Sequence, residues 1–172
     1  MSNVLRRAAK PLSADTFVKS VLKNFMADSG LEPRLFGPHL RVTNAIKGRV
    51  DFELDITKDH TNRLKIIHGG TIASMVDLGG SLAVASMGLW STGVSTDLNV
   101  TYLSSGGNVG EKLQASAVCE KIGKTLAFTT VTFKNSKGEL AARGSHTKYV
   151  EKAWKGDVGY IPPENWNGDE QA

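Results

Sequence analysis

The sequence predicts an α+β domain: one antiparallel sheet wrapped around a single central apolar helix, with an extra helix on the N-terminal side. Three observations carry this. Between Lys65 and Asp97 the only formal charge is Asp77, so the segment is small and apolar on every side, as a buried central helix is. After it come four strand-like runs, 94–103, 112–121, 125–134 and 139–150. They are separated by Ser104-Ser105-Gly106-Gly107-Asn108, Ile122-Gly123-Lys124 and Asn135-Ser136-Lys137-Gly138, each rich in turn formers. Before it, Val50, Phe52, Leu54 and Ile56 alternate with charged residues, the mark of a half-buried strand.

The elements follow in order. Residues 1–12 read as a flexible basic stretch, with Arg6, Arg7 and Lys10 and no acid before Asp15. Ser13 then opens a helix whose apolar residues Phe17, Val21, Leu22 and Phe25 recur at helical spacing, with a stop near Ser29-Gly30. Pro33 and Pro38 mark a loop. Runs 40–43 and 49–56 form a strand pair turned near Lys47-Gly48, and the apolar helix spans about 71–89. The meander completes a domain at 13–150. Residues 151–172, with Trp154, Trp166 and Pro162-Pro163, read as an irregular tail.

Composition removes several function classes. With 172 residues, 40% hydrophobic and 22% charged, the chain reads as one soluble globular domain with a real core. The net charge of +4 comes from scattered basic residues without a stripe of interleaved aromatics, which argues against nucleic acid. The 71–90 segment is long enough to span a membrane, but Asp77, its serines and its glycines make it a buried helix instead. The single Cys119 excludes an intrachain disulfide and fits a small filler in a strand. Four His and one Cys in no ligand spacing give no metal site, and no serine sits in a Gly-x-Ser-x-Gly elbow. The basic N-terminus suits a short tail or a mitochondrial presequence, so the expected compartment is cytoplasmic or mitochondrial.

One position invites chemistry. An ionised carboxylate is costly to bury unless paired, hydrogen-bonded or protonated, so Asp77 in its apolar segment is a candidate. The plainer alternative is a structural acid satisfied by hydroxyls such as those of Ser74 or Ser81. Just upstream, His68-Gly69-Gly70 opens the helix, where backbone N–H groups are free and favour negative charge. An acid and an anion-stabilising helix start suggest hydrolysis or acid–base work on a carbonyl.

The residues also carry a resemblance. Asn62-Arg63-Leu64-Lys65-Ile66-Ile67-His68-Gly69-Gly70 leads into the helix bearing Asp77. It is followed by Val94-Ser95-Thr96-Asp97-Leu98-Asn99-Val100-Thr101-Tyr102, Gly123-Lys124-Thr125-Leu126-Ala127-Phe128 and Gly144-Ser145-His146-Thr147-Lys148. Over roughly 40–150 this order resembles the hotdog-fold acyl-CoA thioesterases. The nearest in pattern are the small eukaryotic thioesterase-superfamily enzymes and the bacterial phenylacetate-pathway and hydroxybenzoyl-CoA thioesterases.

That resemblance implies an enzyme of lipid metabolism that hydrolyses a fatty or aryl acyl-CoA to the free acid and coenzyme A. Gly69 N–H would polarise the thioester oxygen and Asn62 would add a hydrogen bond. Asp77 would activate water, or less directly attack the carbonyl to form an anhydride. Ser95 would hold the water or the carboxylate, and His68 would position the turn. Gly70, Lys124, Thr125, Arg143 and Lys148 would bind substrate, the cations reaching the phosphates of coenzyme A. Coenzyme A belongs to the substrate, so no separate cofactor or metal is implied.

The resemblance also implies a homodimer, assembling further as a dimer of dimers. Asp77 and Ser95 of one subunit would face Asn62, His68 and Gly69 of the other. Two other functions fit the same fold: an acyl-CoA hydratase or dehydratase, and a non-catalytic acyl-CoA-binding protein. A hydratase wants a His paired with an acid, whereas Asp77 follows His68 by nine residues in the thioesterase arrangement.

Overall fold

The computed structural model describes residues 12–155. The basic stretch before them and the greater part of the expected tail lie outside the described residues. Helix α1 (Ala14–Asp28) begins at Ser13, whose hydroxyl accepts the Thr16 N–H and satisfies one orphan donor of the first turn. Its spaced apolar residues Phe17, Val21 and Leu22 are buried, together with Val18. The Phe17 ring meets Trp90 edge-on at 5.9 Å, tying α1 to the segment beyond the central helix.

The stretch expected as a loop at Pro33 and Pro38 is instead short helix α2 (Glu32–Leu35) followed by a 3₁₀ turn, Gly37–His39. Both prolines stand in first turns, where a missing N–H costs nothing and the fixed φ suits the helix. Helix-breaking residues are therefore poor evidence against a helix start.

Six strands form one antiparallel sheet: β1 (Leu40–Ile46), β2 (Arg49–Asp55), β3 (Val94–Tyr102), β4 (Lys112–Ile122), β5 (Leu126–Lys134) and β6 (Leu140–Tyr149), in the order β1-β2-β4-β5-β6-β3. β1 runs past the expected Thr43 because a bulge there restores pairing as far as Ile46. Alternation in β2 turns Val50, Phe52 and Leu54 into the core.

The central helix α3 (Gly69–Ala85) lies against the sheet. It starts two residues before the expected boundary, with His68 as its N-cap, and ends four residues early, where Gly88 at φ 92° turns the chain away. Helix and sheet approach closely: a Cβ on Gly79 would sit 2.8 Å from Phe52 Cζ. Twelve of its residues are buried, including Met75, Val76 and Leu82, so the apolar segment is the core of the domain. Among the described residues no helix is long and apolar enough to cross a membrane.

Strand β3 stands apart. It is the sheet edge beyond β6, and nearly its whole length is exposed in the single chain, with Val94 at 64% and Tyr102 at 52%. An exposed edge carrying apolar residues invites pairing with another strand.

Candidate active site

The start of α3 is fixed from behind. His60, almost fully buried, donates its Nε2 proton to the Leu35 carbonyl at 2.7 Å, while Nδ1 accepts the Thr57 N–H at 3.0 Å. Its carbonyl accepts both the His68 N–H at 2.8 Å and the Thr71 hydroxyl at 3.1 Å. Burial holds the His60 imidazole below its ordinary pKa, which suits a ring whose Nδ1 must stay an acceptor. Nothing in the sequence pattern around His60 signals this role.

His68 then caps the helix, its Nδ1 accepting the Gly70 N–H at 2.8 Å. That bond engages the Gly70 N–H within the chain. Among the described residues no acceptor meets the Gly69 N–H, which points out of the helix start. The Gly69 carbonyl accepts the Tyr102 hydroxyl at 2.7 Å, and a Cβ at Gly69 would lie 3.2 Å from the Tyr102 ring, so a larger residue there would require the ring to shift by a few tenths of an ångström. Asn62 sits in a tight turn closed by Lys65 at φ 62°, its Oδ1 accepting the Leu64 N–H at 2.8 Å. Its amide N–H₂ group meets no acceptor among the described residues.

Two turns along α3, Asp77 meets two partners that converge on one oxygen. The Ser95 hydroxyl donates to Oδ1 at 2.7 Å, and His146 Nε2 lies 3.1 Å from Oδ1 and 2.8 Å from Ser95 Oγ. The bulge in β3 between Ser95 and Asp97 shifts the register against β6, so Ser95 pairs with Lys148 and its side chain reaches the helix. Neither Ser74 nor Ser81 satisfies the carboxylate: their hydroxyls donate to the backbone carbonyls of Gly70 and Asp77. The apolar surroundings suggested a buried acid, yet the Asp77 side chain is 42% exposed in the single chain. It lies on the side of α3 that faces edge strand β3, which covers it incompletely.

His146 is a functional neighbour of Asp77 that the sequence pattern does not single out. It is fully buried on the inner face of β6, and among the described residues its Nδ1 has no hydrogen-bond partner. A Cβ on Gly80 would lie 2.4 Å from that nitrogen, so the helix glycine makes room for the ring. The neutral Nε2–H tautomer follows: Nε2–H donates to Ser95, the Ser95 O–H donates to Asp77, and the bare Nδ1 needs no acceptor. Burial, with the Lys148 ammonium nearby and partly offset by Asp77, pushes the imidazole down to about 4.

This has a consequence for stability. Above about pH 6.5, the ordinary value, His146 is neutral folded and unfolded, and its contribution is fully present. As pH falls from 6.5 toward 4 the unfolded chain takes the proton first, so stability declines through that window. Urea midpoints measured at pH 7.5, 5.5 and 4.5 should fall more steeply in the native protein than in His146→Gln. Equal slopes would show that a buried neutral imidazole is not part of the native state.

The remaining expected binding residues divide. Lys124 and Thr125 are exposed in the β4–β5 turn, and Arg143 is exposed on the outer face of β6. Lys148 does not join them. It differs from Arg143 in parity along the strand, faces inward, is 3% exposed and donates to Ser81 Oγ at 2.9 Å, so it is not a surface contact for phosphate. Burial lowers its pKa, and Asp77 opposes that shift. Cys119 is a half-buried residue of β4 whose thiol burial pushes up to about 11, which leaves it a poor nucleophile.

Comparisons with known proteins identify the family. The model of the family described as "Thioesterase superfamily" matches residues 64–142, the span from the Asn62 turn through most of the sheet. A Schizosaccharomyces pombe protein named "Putative esterase" is 42% identical over 138 residues, covering 80% of this chain and 85% of that protein. Human acyl-coenzyme A thioesterase 13 is 38% identical over 112 residues, covering 64% of this chain and 79% of its own. The crystal structure of zebra fish thioesterase superfamily member 2 superimposes with a TM-score of 0.71 at 37% identity, covering 80% of this chain and 98% of that one. Similarity of this extent, over four-fifths or so of those proteins and in a sheet of the same architecture around α3, shows that this chain belongs to the thioesterase superfamily and is a hotdog-fold thioester hydrolase.

Proposed function

We propose that this protein hydrolyses the thioester of a fatty or aryl acyl-CoA, with Asp77 as the general base for water. One observation carries the reading: both fixed contacts of Asp77 go to Oδ1, and among the described residues no donor meets Oδ2. A carboxylate anchored through one oxygen, with the other free on an exposed side, is placed to take a proton from water. The resulting hydroxide adds to the thioester carbon, and negative charge develops on the former carbonyl oxygen. A Gly69 N–H with no competing acceptor stabilises that oxygen, helped by the positive end of α3 and by the unengaged Asn62 amide. When the tetrahedral species collapses, the C–S bond breaks. The sulfur leaves as a thiolate that takes a proton, giving the acid and free coenzyme A.

The two halves of this machinery come from two subunits in the proposed assembly. β3 is an uncovered edge, and pairing it with β3 of a second copy continues the sheet and covers Val94, Leu98 and Tyr102. Asp77 and Ser95 of one subunit then face Asn62, His68 and Gly69 of the other. Exposed Lys124, Thr125 and Arg143 are left to meet the phosphates.

A second reading draws on the His146–Asp77 contact, since hydration chemistry wants a His paired with an acid. His146 is wholly buried and its Nε2–H is committed to Ser95, so it cannot reach a substrate carbon. The test is direct. Purified protein with acyl-CoAs of graded chain length and with an aryl-CoA is expected to release free thiol, read by a thiol reagent. Consumption of an enoyl-CoA without thiol release would establish the hydratase, and binding with no turnover of any substrate would establish the binding protein.

A further inference from the structure

We infer that Tyr102 is a positioning residue: its hydroxyl holds the Gly69–Gly70 peptide in the orientation that aims the adjoining Gly69 N–H at the thioester oxygen. This deepens the proposed role of Gly69 and rests on it.

The contact is more than a helix needs. A carbonyl in the first turn accepts from the N–H of the following turn, and the orphan acceptors lie at the other end of the helix. The Gly69 carbonyl nevertheless takes the Tyr102 hydroxyl at 2.7 Å. On the same peptide unit, the Gly70 N–H donates to His68 Nδ1 at 2.8 Å. The unit is therefore gripped at both ends by side chains, one from β3 and one from the cap. The peptide before it carries the Gly69 N–H. That peptide is held through the His68 carbonyl, which accepts the Thr71 N–H at 2.9 Å and the Ile72 N–H at 3.2 Å.

The joint between the two units is Gly69 itself, and glycine resists backbone rotation less than any other residue. With one unit held by the helix and the other by Tyr102 and His68, the joint is fixed and the free donor keeps one direction. The Tyr102 ring also packs against the glycine, 3.2 Å from where a Cβ would be. Donors aimed in advance at developing charge are the ones that lower a barrier.

Strand register explains how a tyrosine here reaches the helix. Ser95 and Tyr102 are seven residues apart, an odd separation that puts side chains on opposite faces of a regular strand. The bulge between Ser95 and Asp97 removes that conflict: Ser95 pairs with Lys148 and Tyr102 with Ala142, which share one face of β6. One strand thus serves the base at one end, Ser95 to Asp77 at 2.7 Å, and the donor at the other, Tyr102 to Gly69. When β3 pairs with its own copy in an antiparallel sheet, the Tyr102 end of one strand lies beside the Ser95 end of the other. Each shared site then receives Tyr102 and Gly69 from one subunit and Ser95 and Asp77 from the second.

Tyr102→Phe keeps the ring and removes the hydroxyl, and Tyr102→Leu is a second variant should the first fail to fold. Loss of one neutral hydrogen bond behind the donor should lower kcat about three- to tenfold, with KM changed by less than about twofold. A tie that serves the fold alone would lower the melting temperature and leave kcat of the folded enzyme where it is. NMR reads the donor directly. His68-Gly69 is the single His-Gly pair of the chain, so labelling histidine carbonyl carbons and glycine nitrogens gives one correlated amide, that of Gly69. A ketone analogue of acyl-CoA, with a methylene in place of the thioester sulfur, should move this resonance downfield in the native protein. At saturation the shift should be smaller in Tyr102→Phe. An unchanged kcat in a folded variant, or an analogue-induced shift equal to the native one, overturns the role of Tyr102 alone. A native Gly69 amide that ignores the bound analogue overturns the donor role of Gly69, and the inference with it.

Discussion

Asp77→Asn is expected to leave the fold intact and lower kcat by about 10²–10⁴-fold, the usual contribution of a general base. The amide has nearly the shape of the carboxylate, and its oxygen can still accept from the Ser95 hydroxyl where Oδ1 does so now, beside the His146 ring. What it cannot do is take a proton from water. The loss should therefore fall on kcat, with substrate binding little changed. Circular dichroism and thermal unfolding would confirm the fold alongside the kinetics. Activity within a few-fold of native would make Asp77 a structural residue and end the mechanism proposed above.

Mixing two inactive homodimers should restore activity. If Asn62 of one subunit and Asp77 of the other form one site, Asn62→Ala and Asp77→Asn each damage both sites of their own homodimer. A mixed dimer holds one site with both substitutions and one wholly native site. Random exchange makes half the dimers mixed, so activity should climb from near zero to roughly a quarter of native. Native mass spectrometry would follow the exchange. Complete exchange with no recovery would place Asn62 and Asp77 in the same site within one chain and remove the shared-site assembly.

The fold was largely legible because its signals are local. Alternation in Val50, Phe52, Leu54 and Ile56 is a property of one strand, and the clusters at 104–108 and 135–138 mark turns by their own backbone preferences. The misread stretch at Pro33 and Pro38 shows the limit of the same local reasoning, since proline signals a break and a helix start alike. The helix start at His68-Gly69-Gly70 could be read because the sequence announces a boundary there, whereas His68 as its N-cap, two residues before the expected start, is a finding of the structure.

The surroundings of Asp77 were not legible in the same way. Ser95, His146 and Lys148 meet the helix across separations of eighteen or more residues, and their meeting depends on strand register, on the bulge in β3 and on the order β5-β6-β3. A hint was present: Ala142, Gly144, His146 and Lys148 share one parity in β6, and period-two alternation puts them on one face, with Arg143 on the other. Parity says which residues share a face. It does not say which face meets a helix, nor that Gly80 leaves space for the His146 ring.

By itself, then, the sequence determined the elements, the apolar central helix, the lone acid within it and the helix start that offers a free N–H. Each of these is set by residues close together in the chain. Only the tertiary structure decided that the acid is half-exposed rather than buried, that its partners are Ser95 and His146 rather than neighbouring helix hydroxyls, and that Lys148 points inward. Those outcomes turn on distances of a few ångströms between segments far apart in sequence, which burial and sheet register fix and composition does not encode.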